Sequence, residues 1–164
     1  MSAVVEDLLQ PVSDPAIWRG ADLATRTDWK FELSQVHLAE LDAALAGVRR
    51  NRLQLAEITA QTFPLPTLSR ELLRLRQTLI AGTGFALMRG LAVGAYPLED
   101  LETVYWGLCA HVGTGITQNS DAGLIHYVTD GRLRPGQGTR GVGSPLAAGL
   151  HVDLTDCVSL LCVR

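Results

Sequence analysis

His151-Val152-Asp153 places an imidazole and a carboxylate two residues apart, just ahead of the apolar run Val158-Ser159-Leu160-Leu161-Cys162-Val163. In an extended strand residues i and i+2 share a face, so both groups would reach one metal ion from a single side. Two imidazoles and one carboxylate around an ion with open positions form the ligand set of non-haem Fe(II) oxygen chemistry, and this element holds two of the three. No histidine follows Asp153 to act as the third. By spacing alone the same tripeptide also describes a surface strand pair or a local hydrogen bond, so the rest of the chain has to decide between them.

The remaining groups capable of chemistry are few. Gln118-Asn119 follows the strand-like Ile116-Thr117 and offers amides that both donate and accept, which suits the orientation of a polar substrate, although turn chemistry alone also places Asn there. His126 alternates with Ile125 and Tyr127 in a short β-like piece and would face either a cavity or a satisfied neighbour. His111 falls late in a helix, where the dipole favours a polar or cationic tip, and His37 falls in the first turn of another, on the surface. Gly136-Gln137-Gly138-Thr139-Arg140-Gly141 matches G-x-G-x-x-G. A pyrophosphate loop must leave an apolar strand and open a helix, whereas Arg134-Pro135 precedes this stretch and Gly143-Ser144-Pro145 follows it, so it reads as a connector or an active-site loop.

The elements that must position these groups change character along the chain. Residues 1–33 hold Pro11, Pro15, Gly20, Trp18 and Trp29 without periodicity and read as an irregular arm packed by its aromatics. Residues 34–113 are mostly helical. Ser34 is an N-cap ahead of Leu38, Leu41, Leu45 and Val48, one face of a helix. Leu55 and Ile58 follow the Arg-rich turn at 49–52 and stop before Phe63-Pro64-Leu65-Pro66. A second long helix runs from near Ser69 through Leu72, Leu75 and Leu79 to Gly82. Phe85-Ala86-Leu87-Met88, bracketed by glycines, reads as a buried strand, and Leu98, Leu101, Val104, Tyr105 and Leu108 form a third helix between Pro97 and Gly113. Residues 114–164 are β-like: short pieces at 116–117 and 125–128, a glycine-rich stretch at 134–145, then the His-x-Asp element. One domain without a linker is the simplest organisation.

Composition sets further bounds. With 47% hydrophobic and 19% charged residues the chain is globular rather than disordered, and a formal charge of -3 without a dense Lys/Arg cluster argues against nucleic acid or an anionic membrane as a partner. No apolar stretch reaches the length of a membrane span, and residues 1–30 carry Glu6, Asp7 and Asp14 where a signal peptide would place positive charge and an apolar block, so a cytoplasmic location is expected. Cys109, Cys157 and Cys162 form no CxxC pair and read as small hydrophobes rather than as a disulfide framework or a zinc knuckle.

Taken in order, Gly84-Phe85-Ala86-Leu87-Met88-Arg89-Gly90-Leu91, the segment from Leu101 to Gly113, Gln118-Asn119, His151-Val152-Asp153 and Val158 to Arg164 resemble the TauD/TfdA-like (taurine dioxygenase, clavaminate-synthase-like) oxygenases, over a span from about Trp29 to the last residue. The resemblance implies an α+β fold in which N-terminal helices decorate a double-stranded β-helix, or jelly-roll, core. It implies Fe(II) as the metal, 2-oxoglutarate as co-substrate, and hydroxylation of a small molecule coupled to decarboxylation of 2-oxoglutarate to succinate. His151 and Asp153 map onto the family's metal ligands, and Gln118 and Asn119 onto the segment lining the substrate and co-substrate pocket.

The family's second metal histidine and the arginine that pairs with the distal carboxylate of 2-oxoglutarate have no counterpart here. The chain is therefore expected to be the N-terminal half of such a domain with an incomplete jelly roll, to bind iron weakly and to turn over little. Its open strand edges are expected to cause self-association or dependence on another chain. Two alternatives stand beside this expectation. One is a non-catalytic remnant or interaction module that needs a partner chain to complete its sheet, and the other is a cupin-like or hydrolytic metal protein using His151, Asp153 and His126.

Overall fold

The computed structural model describes residues 11–118, 122–128 and 151–163. The chain packs as two compact units, Met1–Gly113 and Thr114–Arg164.

The described residues of the first unit form three long helices, one short helix and a two-stranded parallel sheet. Its elements in chain order are α1 (Gly20–Ala24), β1 (Lys30–Glu32), α2 (Gln35–Asn51), a 3-10 turn at Leu55–Glu57, α3 (Leu68–Ala81), β2 (Leu87–Arg89), a 3-10 turn at Val93–Ala95 and α4 (Leu98–Ala110). α2 starts where the sequence places its cap: the Ser34 side chain accepts from the His37 N–H, and the Ser34 N–H donates to His37 Nδ1. His37 thus closes the first turn of its helix. At the other end Arg52 takes the left-handed conformation (φ 53°, ψ 37°) that usually falls to glycine, while Arg49 and Arg50 complement the helix dipole.

α3 has no cap from its own Thr67 side chain. The cap comes from α2: Glu40 accepts from the Thr67 N–H (2.8 Å), the Thr67 hydroxyl (2.6 Å) and the Leu68 N–H (3.0 Å). Burial pushes the Glu40 carboxyl up, but the bonds from Leu68 and Thr67 outweigh it and hold the group below the usual glutamate range. α4 carries Glu99 and Asp100 in its first turn, and buried Asp100 accepts a bidentate pair from Arg49 of α2, with Arg49 Nε to Asp100 Oδ1 at 3.0 Å and Arg49 Nη2 to Asp100 Oδ2. A third tie on α2 is the Tyr96 hydroxyl, which donates to Asp42 at 2.8 Å; burial first and Asp42 second push the phenol up to about 12.

The core lies between these helices. Leu41, Ala44, Leu45 and Val48 of α2 meet Leu68 and Leu72 of α3, Val104 and Leu108 of α4, and Ile58, Phe63 and Leu65 of the connecting segment. Each fully buried Leu or Phe here contributes about 1.5–3 kcal/mol. Phe63 is at the centre with no exposed surface, and α4 approaches it through Gly107, where a Cβ would stand 2.5 Å from the ring. Behind the ring, His111 Nε2 donates to the Phe63 carbonyl at 2.8 Å, so this histidine anchors a backbone turn.

Two expectations are corrected in this unit. Within the arm read as irregular, the structure has α1 and β1, and β1 pairs in parallel with β2 in the register Lys30↔Leu87, Phe31↔Met88, Glu32↔Arg89. Nothing local announces such a pair, since parallel strands need a long crossover, here the whole of α2 and α3. The strand read as buried Phe85–Met88 lies two residues further on, with Leu87 and Arg89 exposed and Met88 half-buried, because a two-stranded sheet can turn only its alternate residues inward. Phe85 precedes it and is held between Trp18 and Trp29, with ring centroids 5.1 and 5.2 Å away. Trp18 Nε1 also donates to the Thr83 carbonyl at 2.9 Å, so the arm is packed by its aromatics.

In the second unit the described residues form no strand. The pieces read as β-like at 116–117, 125–128 and 158–163 have no ladder, and the architecture among the described residues is mixed helix and strand with the two-stranded sheet as its β component. A strand requires a partner for its N–H and C=O groups, and apolar pattern alone does not provide one. No helix among the described residues is long and apolar enough to cross a membrane.

Candidate functional site

The candidate residues fall in the second unit. His151, Val152 and Asp153 form an irregular segment followed by a bend at Leu154, Thr155 and Asp156, where the Thr155 hydroxyl donates to the Cys157 carbonyl at 3.2 Å. The tetrapeptide His151-Val152-Asp153-Leu154 alternates polar and apolar side chains, the pattern of a strand with a wet face and a dry face. Its polar pair, His151 and Asp153, is exposed, and so is its apolar pair, Val152 at 88% and Leu154 at 100%. The local chemistry for a ligand-bearing strand is present, while the apolar face that would anchor it is open.

Gln118 is exposed and turned back on its own chain: its N–H donates to the Gly123 carbonyl at 2.6 Å and its Nε2 to the Ile116 carbonyl at 2.9 Å. Those bonds tie Gln118 to Gly123 and to Ile116, and Ala122, just before Gly123, takes a positive φ of 59°. Asn119 and the glycine-rich stretch at 134–145 lie outside the described residues. His126, the alternative third ligand, is exposed. His111 and His37 are committed to the Phe63 carbonyl and to the cap of α2.

Among the described residues no group of three or more His, Cys, Asp and Glu side chains could hold a metal ion. An imidazole and a carboxylate are right in kind for Fe(II), and the described donors are short of that metal's three-residue set by one. Two surface clefts lie among the described residues of the first unit. One, between the end of α2 and the start of α4, is lined by Arg49, Arg52, Gln54, Asp100 and Thr103, and the other runs along α2 past Ala39, Ala43 and Gly47 to Pro64 and Pro66. Neither is lined by Gln118, His151 or Asp153.

Sequence reading missed the Arg49–Asp100 pair and the Glu40 cap, because both join residues distant in the chain. For Glu40 a signal existed: a helix opening at Leu68 without a side-chain cap of its own leaves N–H groups that need an acceptor from elsewhere.

No protein-family model matches the sequence. Two curated relatives do. The FR-33289 synthase of Streptomyces rubellomurinus (strain ATCC 31215) is 24% identical over 163 residues, which make up 98% of this chain and 48% of that protein. The taurine hydroxylase-like protein SAT17 of Stachybotrys chartarum (strain CBS 109288 / IBT 7711) is 28% identical over 121 residues, or 73% of this chain and 31% of that protein. The chain thus spans about half the length of the first relative and about a third of the second.

Proposed function

We propose that this chain carries part of an Fe(II)/2-oxoglutarate-dependent dioxygenase of the TauD/TfdA-like type, in which His151 and Asp153 are two of the three protein ligands of the iron. The observation that carries the reading is the similarity to a taurine hydroxylase-like protein and to a synthase, the latter over 98% of the chain, a span that takes in the His151-Val152-Asp153 element. With its metal and co-substrate bound, such an enzyme hydroxylates a small molecule while 2-oxoglutarate is decarboxylated to succinate. The part of this chain in that chemistry is limited to donors: the imidazole and carboxylate would hold the ion from one side, and Gln118 and Asn119 would belong to the segment that lines the substrate and co-substrate pocket. The third ligand and the arginine for the distal carboxylate of 2-oxoglutarate come from polypeptide beyond these residues, in keeping with relatives that are about two and three times as long as the stretch they match. This assignment makes residues 114–164 the first part of a jelly-roll core whose strands pair only when their neighbours are present.

The test is a read of the coding DNA through several hundred nucleotides past codon 164, translated in all three forward frames. The proposal expects a histidine followed by an arginine, each in an alternating strand-like context, and succinate formation by the protein that contains them. Absence of both residues in every frame overturns it as a catalytic reading.

A second reading, a non-catalytic module that needs a partner chain to complete its sheet, is favoured by the exposure of Val152, Leu154, Val158 and Leu160. It expects the chain to self-associate on sedimentation and to become monodisperse only with a partner; a stable, monodisperse chain on its own contradicts it.

A further inference from the structure

We draw no further inference here: the strongest candidate, the apolar groove along the outer face of α2 past Ala39, Ala43 and Gly47 to Pro64 and Pro66, is a stripe of small side chains, and nothing in the structure shows what covers it.

Discussion

Adding one methyl group at Gly107 should destabilise the first unit, even though the same change in most helices is stabilising. A Cβ on Gly107 would lie 2.5, 2.6 and 2.7 Å from Cδ1, Cγ and Cε1 of Phe63, against an ordinary carbon contact of about 3.5–4.0 Å. The ring has no exposed surface into which to retreat, and the Phe63 carbonyl is tethered by His111, so α4 itself has to move. Overpacking of this kind costs about 1–3 kcal/mol, and the better helix propensity of Ala returns up to about 1 kcal/mol. Contacts as short as these belong at the upper end of that cost, so the net loss is about 2–3 kcal/mol, which lowers the melting temperature of a unit of this size by roughly 8–24 °C. Gly47→Ala is the matched control, since a Cβ there meets only Arg50 Nη2 at 3.9 Å, and it should raise stability by up to about 1 kcal/mol. Thermal and urea unfolding of the full chain, followed by far-ultraviolet circular dichroism, compares the two variants. If Gly107→Ala matches Gly47→Ala in sign, the packing argument around Phe63 is refuted.

Glu40→Gln removes a charged acceptor from three donors at the start of α3 and should cost about 1 kcal/mol near neutral pH. The sign with pH follows from the depressed carboxyl: its contribution is fully present above the unfolded value of about 4.3 and disappears as pH falls through the lower folded value. Urea titrations at a series of pH values should therefore show wild type and Glu40→Gln converging below about pH 4; a gap that stays constant or widens there contradicts the capping role. Arg52→Gly should stabilise the chain by about 0.5–1 kcal/mol, because glycine adopts the left-handed conformation at the end of α2 without the penalty a Cβ brings. A lower midpoint of urea unfolding for Arg52→Gly would show instead that the arginine side chain contributes more there than its backbone conformation costs.

The three long helices were legible because their determinants are local, whereas the five-residue α1 was not. Ser34 and the spacing of Leu38, Leu41, Leu45 and Val48 specify α2 within a few turns, and Gly82 and Pro97 mark the end of α3 and the start of α4. What stayed hidden depends on residues far apart in the chain: the parallel pairing of Phe31 with Met88, the Glu40 carboxylate at the head of α3, the Arg49–Asp100 pair. For the candidate site the types and spacing of His151 and Asp153 were readable. A complete ligand set cannot be read this way, because it is a property of several strands brought together, and the described residues of the second unit form none.

The most direct measurement is equilibrium dialysis of the full chain against Fe(II) under anaerobic conditions, with His151→Ala, Asp153→Ala and His126→Ala alongside. If His151 and Asp153 are iron ligands, wild type and His126→Ala take up the metal weakly and equally, and uptake is lost in both the His151 and the Asp153 variants. Equal occupancy in all four proteins, including none in any of them, or a loss confined to His126→Ala, contradicts that assignment.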